Sequence, residues 1–264
     1  MKAADRAKMP KGTQAVLDSR TLENDYPGIV PFLKPGMKVL DVGCGTGAIT
    51  AGIAGKVGEK GLVVGIDNTA HLVAKGREDY RHLPQLQLLE ADLYTYLPSE
   101  KFDLIVSARV LQWLEHPKKA LQHFISLLNE GGMISILDYN HELIEWEPEP
   151  PQSFLQFYNA FLSWRADAGM DNLVANHLPG LFEELGLKEI EIYPADEICT
   201  SNQTGFIDKA GIWTKVAMLR GPQMIEHGFI SPAACQQAAD DYDRWLHSGA
   251  KSMIMRLKEI RGRI

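Results

Sequence analysis

Residues 38–140 alternate between short β-rich apolar runs and helical patterns, and this alternation limits the fold more than any other feature. Lys38-Val39-Leu40-Asp41-Val42 has the make-up of a buried strand. A glycine-rich loop follows, then a helix of small residues through Val57. Residues 62–66 predict a second strand that ends at Asp67, and a helical pattern runs on to about His82, where Pro84 stops it. Residues 85–90 and 102–106 predict a third and a fourth strand. Residues 117–128 predict an amphipathic helix with Ala120, Leu121, Phe124, Leu127 and Leu128 on one side, and Gly131-Gly132 opens a fifth strand at 133–137. Strands that take turns with helices imply a parallel sheet covered on both faces. Right-handed crossovers then gather ligands at the carboxyl ends of the strands.

The rest of the chain is less regular. Trp146 and the prolines 148, 150 and 151 predict a rigid connector. Helices are expected over 154–168 and 176–185, a strand over 188–193, and a helical stretch over 203–249. Met253, Met255 and Leu257 alternate with Ile254, Arg256 and Lys258, which suits a half-buried antiparallel last strand. The chain therefore divides into an N-terminal helical segment (1–37), a core (38–140) and two helical additions (141–175 and 203–249), all within one expected domain.

Composition narrows the function classes. The formal net charge is -7, a poor footprint for gripping phosphate backbones, so no nucleic-acid partner is expected. Cys44, Cys199 and Cys235 are few and widely spaced, with no CxxC pair. A disulfide framework and a metal site are both disfavoured, and a reducing cytoplasm fits. Residues 1–13 are polar and lysine-bearing, unlike a signal peptide, and no apolar run nears the ~20 residues of a membrane span.

The candidate binding site begins at Gly43-Cys44-Gly45-Thr46-Gly47, between a strand and a helix. Glycines there let backbone N–H groups approach a ligand closely. Gly43, Gly45 and Ala48 also satisfy the G-x-G-x-x-A dinucleotide pattern, so the loop alone does not choose its ligand. Asp67 and Asp92 end the next two strands. A carboxylate at the first can accept both hydroxyls of a ribose. One at the second can accept an adenine amino group, with the backbone N–H of Leu93 facing a ring nitrogen. Each also has a plainer reading as a helix cap or loop residue.

Taken in order, these segments resemble the class I S-adenosylmethionine-dependent methyltransferases. Val39–Gly47 is similar to their first motif, Gly65-Ile66-Asp67 to the second, Ala91-Asp92-Leu93 to the third and Phe102–Val106 to the fourth. The segment from Leu111 to Pro117 resembles the subgroup of quinone-biosynthesis C-methyltransferases and related small-molecule enzymes. The resemblance implies a Rossmann-like, doubly wound, seven-stranded, mostly parallel sheet with an antiparallel last strand and helical lid insertions. It implies that Gly43, Cys44 and Gly45 pass beneath the methionine part of the donor. Asp67 and Asn68 would hold its ribose, Asp92 and Leu93 its adenine, and Ala108 and Arg109 would line its sulfonium. Ser19-Arg20-Thr21 matches an upstream segment of the subgroup, so Arg20 is a candidate partner for the donor carboxylate, or else a solvated helix arginine. Cys44 is expected as a small loop residue and not a nucleophile.

A sulfonium donor is already activated, so the expected chemistry is mostly positioning and exclusion of water. A base is needed only for an acceptor that must lose a proton. Tyr139, Asn140 and His141 follow the fifth strand, and His141 is the candidate base, with a polar loop histidine as its other reading. His177 reads as a cap or surface residue. Trp113, Trp146, Tyr158, Phe161 and Trp164 suit either helix core or the walls of an apolar pocket. A small organic acceptor under a helical lid is the favoured reading. A nucleic-acid or protein methyltransferase, a donor-binding regulator without turnover, and an NAD enzyme are its rivals. The second addition, with Trp213, Met218 and Leu219, is alternatively a dimer interface, so a monomer or a homodimer is expected.

Overall fold

The computed structural model describes residues 3–7 and 14–264, so most of the polar stretch 1–13 lies outside the described residues. The strands, in chain order, are β1 (Lys38–Val42), β2 (Leu62–Asp67), β3 (Leu86–Glu90), β4 (Phe102–Ala108), β5 (Leu128–Tyr139), β6 (Glu145–Glu147), β7 (Lys188–Pro194), β8 (Glu197–Thr200), β9 (Ser252–Met255) and β10 (Leu257–Arg263). The helices are α1 (Ala3–Ala7), α2 (Gln14–Asp18), α3 (Leu22–Asp25), α4 (Ala48–Val57), α5 (Ala70–Asp79), α6 (Pro117–Ser126), α7 (Gln152–Asp167), α8 (Val174–Glu184), α9 (Phe206–Ala210), α10 (Ile212–Glu226) and α11 (Pro232–Ser248).

Seven strands form one sheet in the order β3-β2-β1-β4-β5-β10-β7. β1 lies at its centre, parallel to β2 on one side and to β4 on the other. Val39, Leu40 and Val42 are fully buried, as a strand covered on both faces requires, and Asp41 between them is buried too, accepting from the Thr50 hydroxyl. β10 runs antiparallel to both β5 and β7, which makes the sheet Rossmann-like and mostly parallel, as expected. Two apolar cores fill its two faces. One joins Val39, Ile53, Leu104 and Met133 to the aromatic helices. The other joins Leu40, Ile105 and Ile134 to α6 and α8 through Leu121, Phe124, Leu178 and Phe182.

Three details differ from the expectation. The last strand of the main sheet is 257–263, whereas Met253 and Met255 belong to a second sheet ordered β6-β9-β8. The alternation was a sound sign of a half-buried strand, but Arg256 breaks it: its guanidinium turns to Asp196 and Glu145, both 2.5 Å away, and the chain changes sheets there. The proline-flanked segment at Trp146 is accordingly strand β6, paired with β9, and not a mere connector. The Gly131-Gly132 turn lies inside β5, where the pairing register with β4 shifts between Phe102 and Leu104.

The two additions pack on each other. Phe154 of α7 meets Tyr242 of α11 at 4.1 Å between ring centroids, and Trp213 of α10 meets Tyr158 edge-on at 4.8 Å. Trp213 is therefore core, only 2% exposed, and is not available to an intersubunit contact, whereas Met218 is exposed.

Candidate functional site

The strand order reverses between β1 and its neighbours β2 and β4, and a cleft opens at this switch point, beyond the carboxyl ends of the strands. Its cavity volume is about 260 Å³. Gly43 and Gly45 from the loop after β1, Asp67 at the end of β2 with Asn68 beyond it, Asp92 and Leu93 after β3, and Ala108 at the end of β4 with Arg109 beyond it all line it, as does Arg20 from the segment after α2. Nine of the sequence-derived binding residues thus meet in one place, although they span nearly ninety positions of chain.

The loop owes its shape to left-handed backbone at Gly43 (φ 78°), Gly45 (φ 57°) and Gly47 (φ 81°). The N–H groups of Gly43 and Cys44 both donate to the Ile66 carbonyl, at 2.7 and 3.1 Å, tying the loop to the end of β2. Asp67 then completes the tie. Its Oδ2 accepts from the Gly45 N–H at 3.0 Å and its Oδ1 from the Thr69 N–H at 2.8 Å. Both readings of Asp67 are therefore compatible, since each carboxylate oxygen keeps a further lone pair. Asp92 accepts from the Tyr94 N–H at 2.7 Å through Oδ1 in a tight local turn. The side-chain oxygen of Asn68 accepts from the Thr69 hydroxyl at 3.2 Å.

A charged cluster closes the far end. Arg109 is a non-glycine residue at φ 63°, a conformation that costs roughly 1–3 kcal/mol. That backbone turns its side chain inward, where it is 7% exposed. Its NH2 donates to Glu197 Oε1 at 2.5 Å, its Nε to the Tyr139 hydroxyl at 3.0 Å and its NH1 to the Asp25 carbonyl at 3.3 Å. Burial opposes the Arg109 charge, but Tyr139 and Glu197 outweigh it and hold the guanidinium above its ordinary pKa. Arg20 lies beside this cluster, and burial together with the Arg109 charge lowers its pKa. Tyr139, Glu197 and Asp25 act on Arg20 in the opposite sense, and a guanidinium that lines the cleft is suited to an anionic group.

Cys44 does not line the cleft. Burial first, and then Asp41 and Asp67, push its thiol well up, which suits an inert loop residue. His141 does not line the cleft either. It sits 5% exposed behind the cleft wall, where Nε2 meets Gln112 Oε1 at 2.5 Å, its N–H donates to the Asn172 carbonyl and its carbonyl accepts from the Tyr158 hydroxyl. Burial and the Arg165 charge drive its pKa well below 6.5, so the ring is neutral. His177, exposed, pairs with Asp171 at 2.6 Å, as a surface residue would.

The residues that sequence reasoning overlooked come from either side of this frame. Ala3 and Ala7 of α1 line the cleft, and α1 is seated by Arg6, whose guanidinium lies over Trp164 and pairs with Asp167. Leu17, one helical turn ahead of Arg20, lies over Gly45. Only the spacing Leu17…Arg20 hinted at it. Glu197 gave no sign, because its contact with Arg109 spans 88 positions.

Two buried carboxyls set an expected pH dependence. Burial raises Asp41, which accepts from the Thr50 hydroxyl, and Asp138, which accepts from the Gln112 N–H, from 3.8 to about 6 each. Between pH 3.8 and 6 the folded state binds more protons than the unfolded chain, so their contribution is present below 3.8 and lost as pH rises through 6. His141 acts the other way, its contribution falling away as pH drops below 6.5. An asparagine in place of Asp41 keeps an acceptor for Thr50 without the charge. In urea unfolding, Asp41→Asn should gain ~1–3 kcal/mol on wild type at pH 7.5 and lose most of that advantage by pH 4.5. Parallel pH profiles for the two proteins would show that Asp41 ionises as freely as in the unfolded chain.

Among the described residues, no cluster of His, Cys, Asp or Glu is placed to hold a metal ion, and no helix is long and apolar enough to cross a membrane. A family model described as a methyltransferase domain matches residues 33–169, over half of the chain and every strand end that lines the cleft, though not Arg20 or the α1 residues. A trans-aconitate 2-methyltransferase of Escherichia coli (strain 55989 / EAEC) is 30% identical over 145 residues, which cover 50% of this chain and 56% of that one. The chain thus spans little more than half the length of that relative. A demethylmenaquinone methyltransferase of Lysinibacillus sphaericus is 27% identical, with 60% of this chain and 73% of that one covered. Among solved structures, phosphoethanolamine N-methyltransferase 2 of Haemonchus contortus, in complex with S-adenosyl-L-methionine, shares the fold with a TM-score of 0.54 at 15% identity, over 97% of this chain and 53% of that one. With most of the cleft lining inside the residues that the family model matches, the chain belongs to the methyltransferase-domain family.

Proposed function

We propose that this chain is an S-adenosylmethionine-dependent methyltransferase that carries a methyl group to a small organic acceptor. The observation that carries the reading is the placement of Asp67 and Asp92 at neighbouring strand ends in the cleft floored by Gly43 and Gly45. The residues fit the donor. The left-handed glycines leave the loop backbone bare, and two carboxylates stand where nucleoside hydroxyl and amino groups can donate. Gly43 and Gly45 would lie beneath the methionine part, with Cys44 between them only as a spacer. Asp67 and Asn68 would hold the ribose, and Asp92 and Leu93 the adenine. Arg20 would pair with the donor carboxylate. Ala108 and Arg109 would border the sulfonium, which supplies an activated methyl group. His141 is assigned a positioning role through Gln112, because it stands one layer behind the cleft.

Residues 38–140 would act as the donor-binding core and the helical additions as the acceptor lid, within one domain. The relatives with named small acceptors and the net charge of -7 support a small molecule over a nucleic acid. Three free cysteines fit a reducing, cytoplasmic setting, and a monomer or homodimer is expected. Calorimetry with S-adenosylhomocysteine and with NAD tests the reading. The expected result is micromolar binding of the first and none of the second. Binding of NAD alone would overturn it.

A further inference from the structure

Glu197 lies outside residues 33–169, on β8 of the second sheet, yet it is the direct partner of a cleft residue. Its Oε1 accepts from Arg109 NH2 at 2.5 Å and from Arg109 Nε at 3.1 Å, and the Tyr139 hydroxyl donates to the same oxygen at 3.1 Å. Arg109 is not free to carry its charge elsewhere. Its NH1 donates to the Asp25 carbonyl, its backbone N–H donates to the Leu137 carbonyl at 2.7 Å, and its own carbonyl accepts from Gln112 Nε2 at 3.1 Å. A left-handed residue tied at so many points persists because its surroundings over-determine it, and such positions gather at ligand sites.

The strand order fixes which part of a ligand lies beside Arg109. β3, β2, β1 and β4 are neighbours in that order, and Asp92, Asp67, the loop of Gly43 and Gly45, and Ala108 with Arg109 stand at or just beyond their ends. Adjacent strands lie ~4.8 Å apart, so the four ends span about 14 Å. An extended molecule with its adenine at Asp92 and its ribose at Asp67 therefore brings the group beyond the ribose to the ends of β1 and β4. On the methyltransferase reading, on which this inference rests, that group is a sulfonium. A fixed cation then meets a buried guanidinium, and like charges in a partly dry cleft repel.

The charged groups that face Arg109 are Arg20, Asp25, Glu197 and, from the wall behind, Asp138. Asp138 answers more strongly to Arg165 than to Arg109. Asp25 Oδ1 is 3.9 Å from Arg109 NH2, and its Oδ2 accepts from the Thr21 N–H. Arg20 and Arg109 thus balance Asp25 and Glu197, and Glu197 is the carboxylate bonded to Arg109 directly. We propose that Glu197 is the counter-charge that admits a sulfonium beside Arg109, and that it thereby sets the preference of the cleft for S-adenosylmethionine over S-adenosylhomocysteine. The two ligands share adenine, ribose, amino and carboxylate groups and differ by one methyl group and one positive charge. Loss of the Glu197 charge acts on that difference. Glu197 works through Arg109 and is a positioning residue. Its side chain is 39% exposed, so solvent screens part of its charge and the shift is moderate.

Calorimetry on the full chain tests this with three ligands: S-adenosylmethionine, S-adenosylhomocysteine and sinefungin, which carries an ammonium group where the donor has its methylsulfonium. Glu197→Gln, close to isosteric, should weaken S-adenosylmethionine and sinefungin about fivefold and leave S-adenosylhomocysteine within twofold. Glu197→Asp keeps the charge and should hold the ratio of the first ligand to the second within twofold of wild type. Arg109→Gln removes the cation instead, so it should move that ratio the other way, and it serves if Glu197→Gln does not fold. The double variant Arg109→Gln/Glu197→Gln should return the ratio to within twofold of wild type. A merely structural role would weaken all three ligands together. Equal losses for the three, an unchanged ratio in Glu197→Gln, or a double variant with the ratio of Glu197→Gln would overturn the proposal and leave the methyltransferase reading standing. Failure of the wild-type chain to bind either S-adenosylmethionine or S-adenosylhomocysteine would overturn both.

Discussion

Asp67→Ala is expected to weaken S-adenosylhomocysteine binding about a hundredfold, or ~2.7 kcal/mol. The carboxylate carries two loads. It accepts from the Gly45 and Thr69 N–H groups, and so fixes the glycine loop against the end of β2. It also faces the cleft where a ribose would present two hydroxyls. Hydrogen bonds to a charged group are worth roughly 1.5–3 kcal/mol each, and an N–H left without a partner costs ~1–3 kcal/mol. Losing either load alone would account for tenfold, and both together for the expected figure. Asp67→Asn separates them. The amide oxygen still accepts one backbone N–H, but the NH2 group opposes the other. Asparagine should therefore fall between wild type and alanine. An alanine variant with unchanged affinity would remove Asp67 from the binding site, whatever its role in the loop.

The core could be read from sequence because each strand announced itself twice. β1, β2, β4 and β5 are built mainly on apolar runs, and the first three strands end in glycine or aspartate where a nucleoside-binding sheet would place them. Backbone alternation fixes a parallel sheet, and a parallel sheet places its strand ends together. Gly43, Asp67 and Asp92 were therefore legible as one site before any coordinate. What lay out of reach were partners chosen by tertiary packing. Met253 and Met255 do alternate as strand residues, yet alternation carries no record of which strand lies beside them, and β9 joins β6 and β8. Glu197 and Arg109 meet across 88 positions, and no local pattern encodes such a contact. His141 lies close to the cleft in sequence order, directly after β5, but the backbone bond from its N–H to the Asn172 carbonyl draws it behind the wall.

Gly43→Ala should harm both folding and donor binding, and the two losses have separable causes. At φ 78° an alanine sits in left-handed backbone, at ~1–2 kcal/mol. Its Cβ would also collide with the Cγ2 methyl of Val110. Val110 is β-branched and stiff, so relief must come from the backbone of the loop after β4, which carries Ala108, Arg109 and Trp113 into the cleft. The expected result is a lower melting temperature, by several degrees, with S-adenosylhomocysteine affinity reduced tenfold or more. Val110→Ala in the same chain removes the collision but not the backbone strain. It should restore most of the affinity and little of the stability. Gly55→Ala is the control, because that glycine lies within α4, has ordinary helical backbone and faces open space. There the substitution should raise stability by ~0.5–1 kcal/mol and leave binding unchanged. If Gly43→Ala bound the ligand as well as Gly55→Ala does, the approach of Val110 to the glycine loop would have no part in shaping the donor cleft.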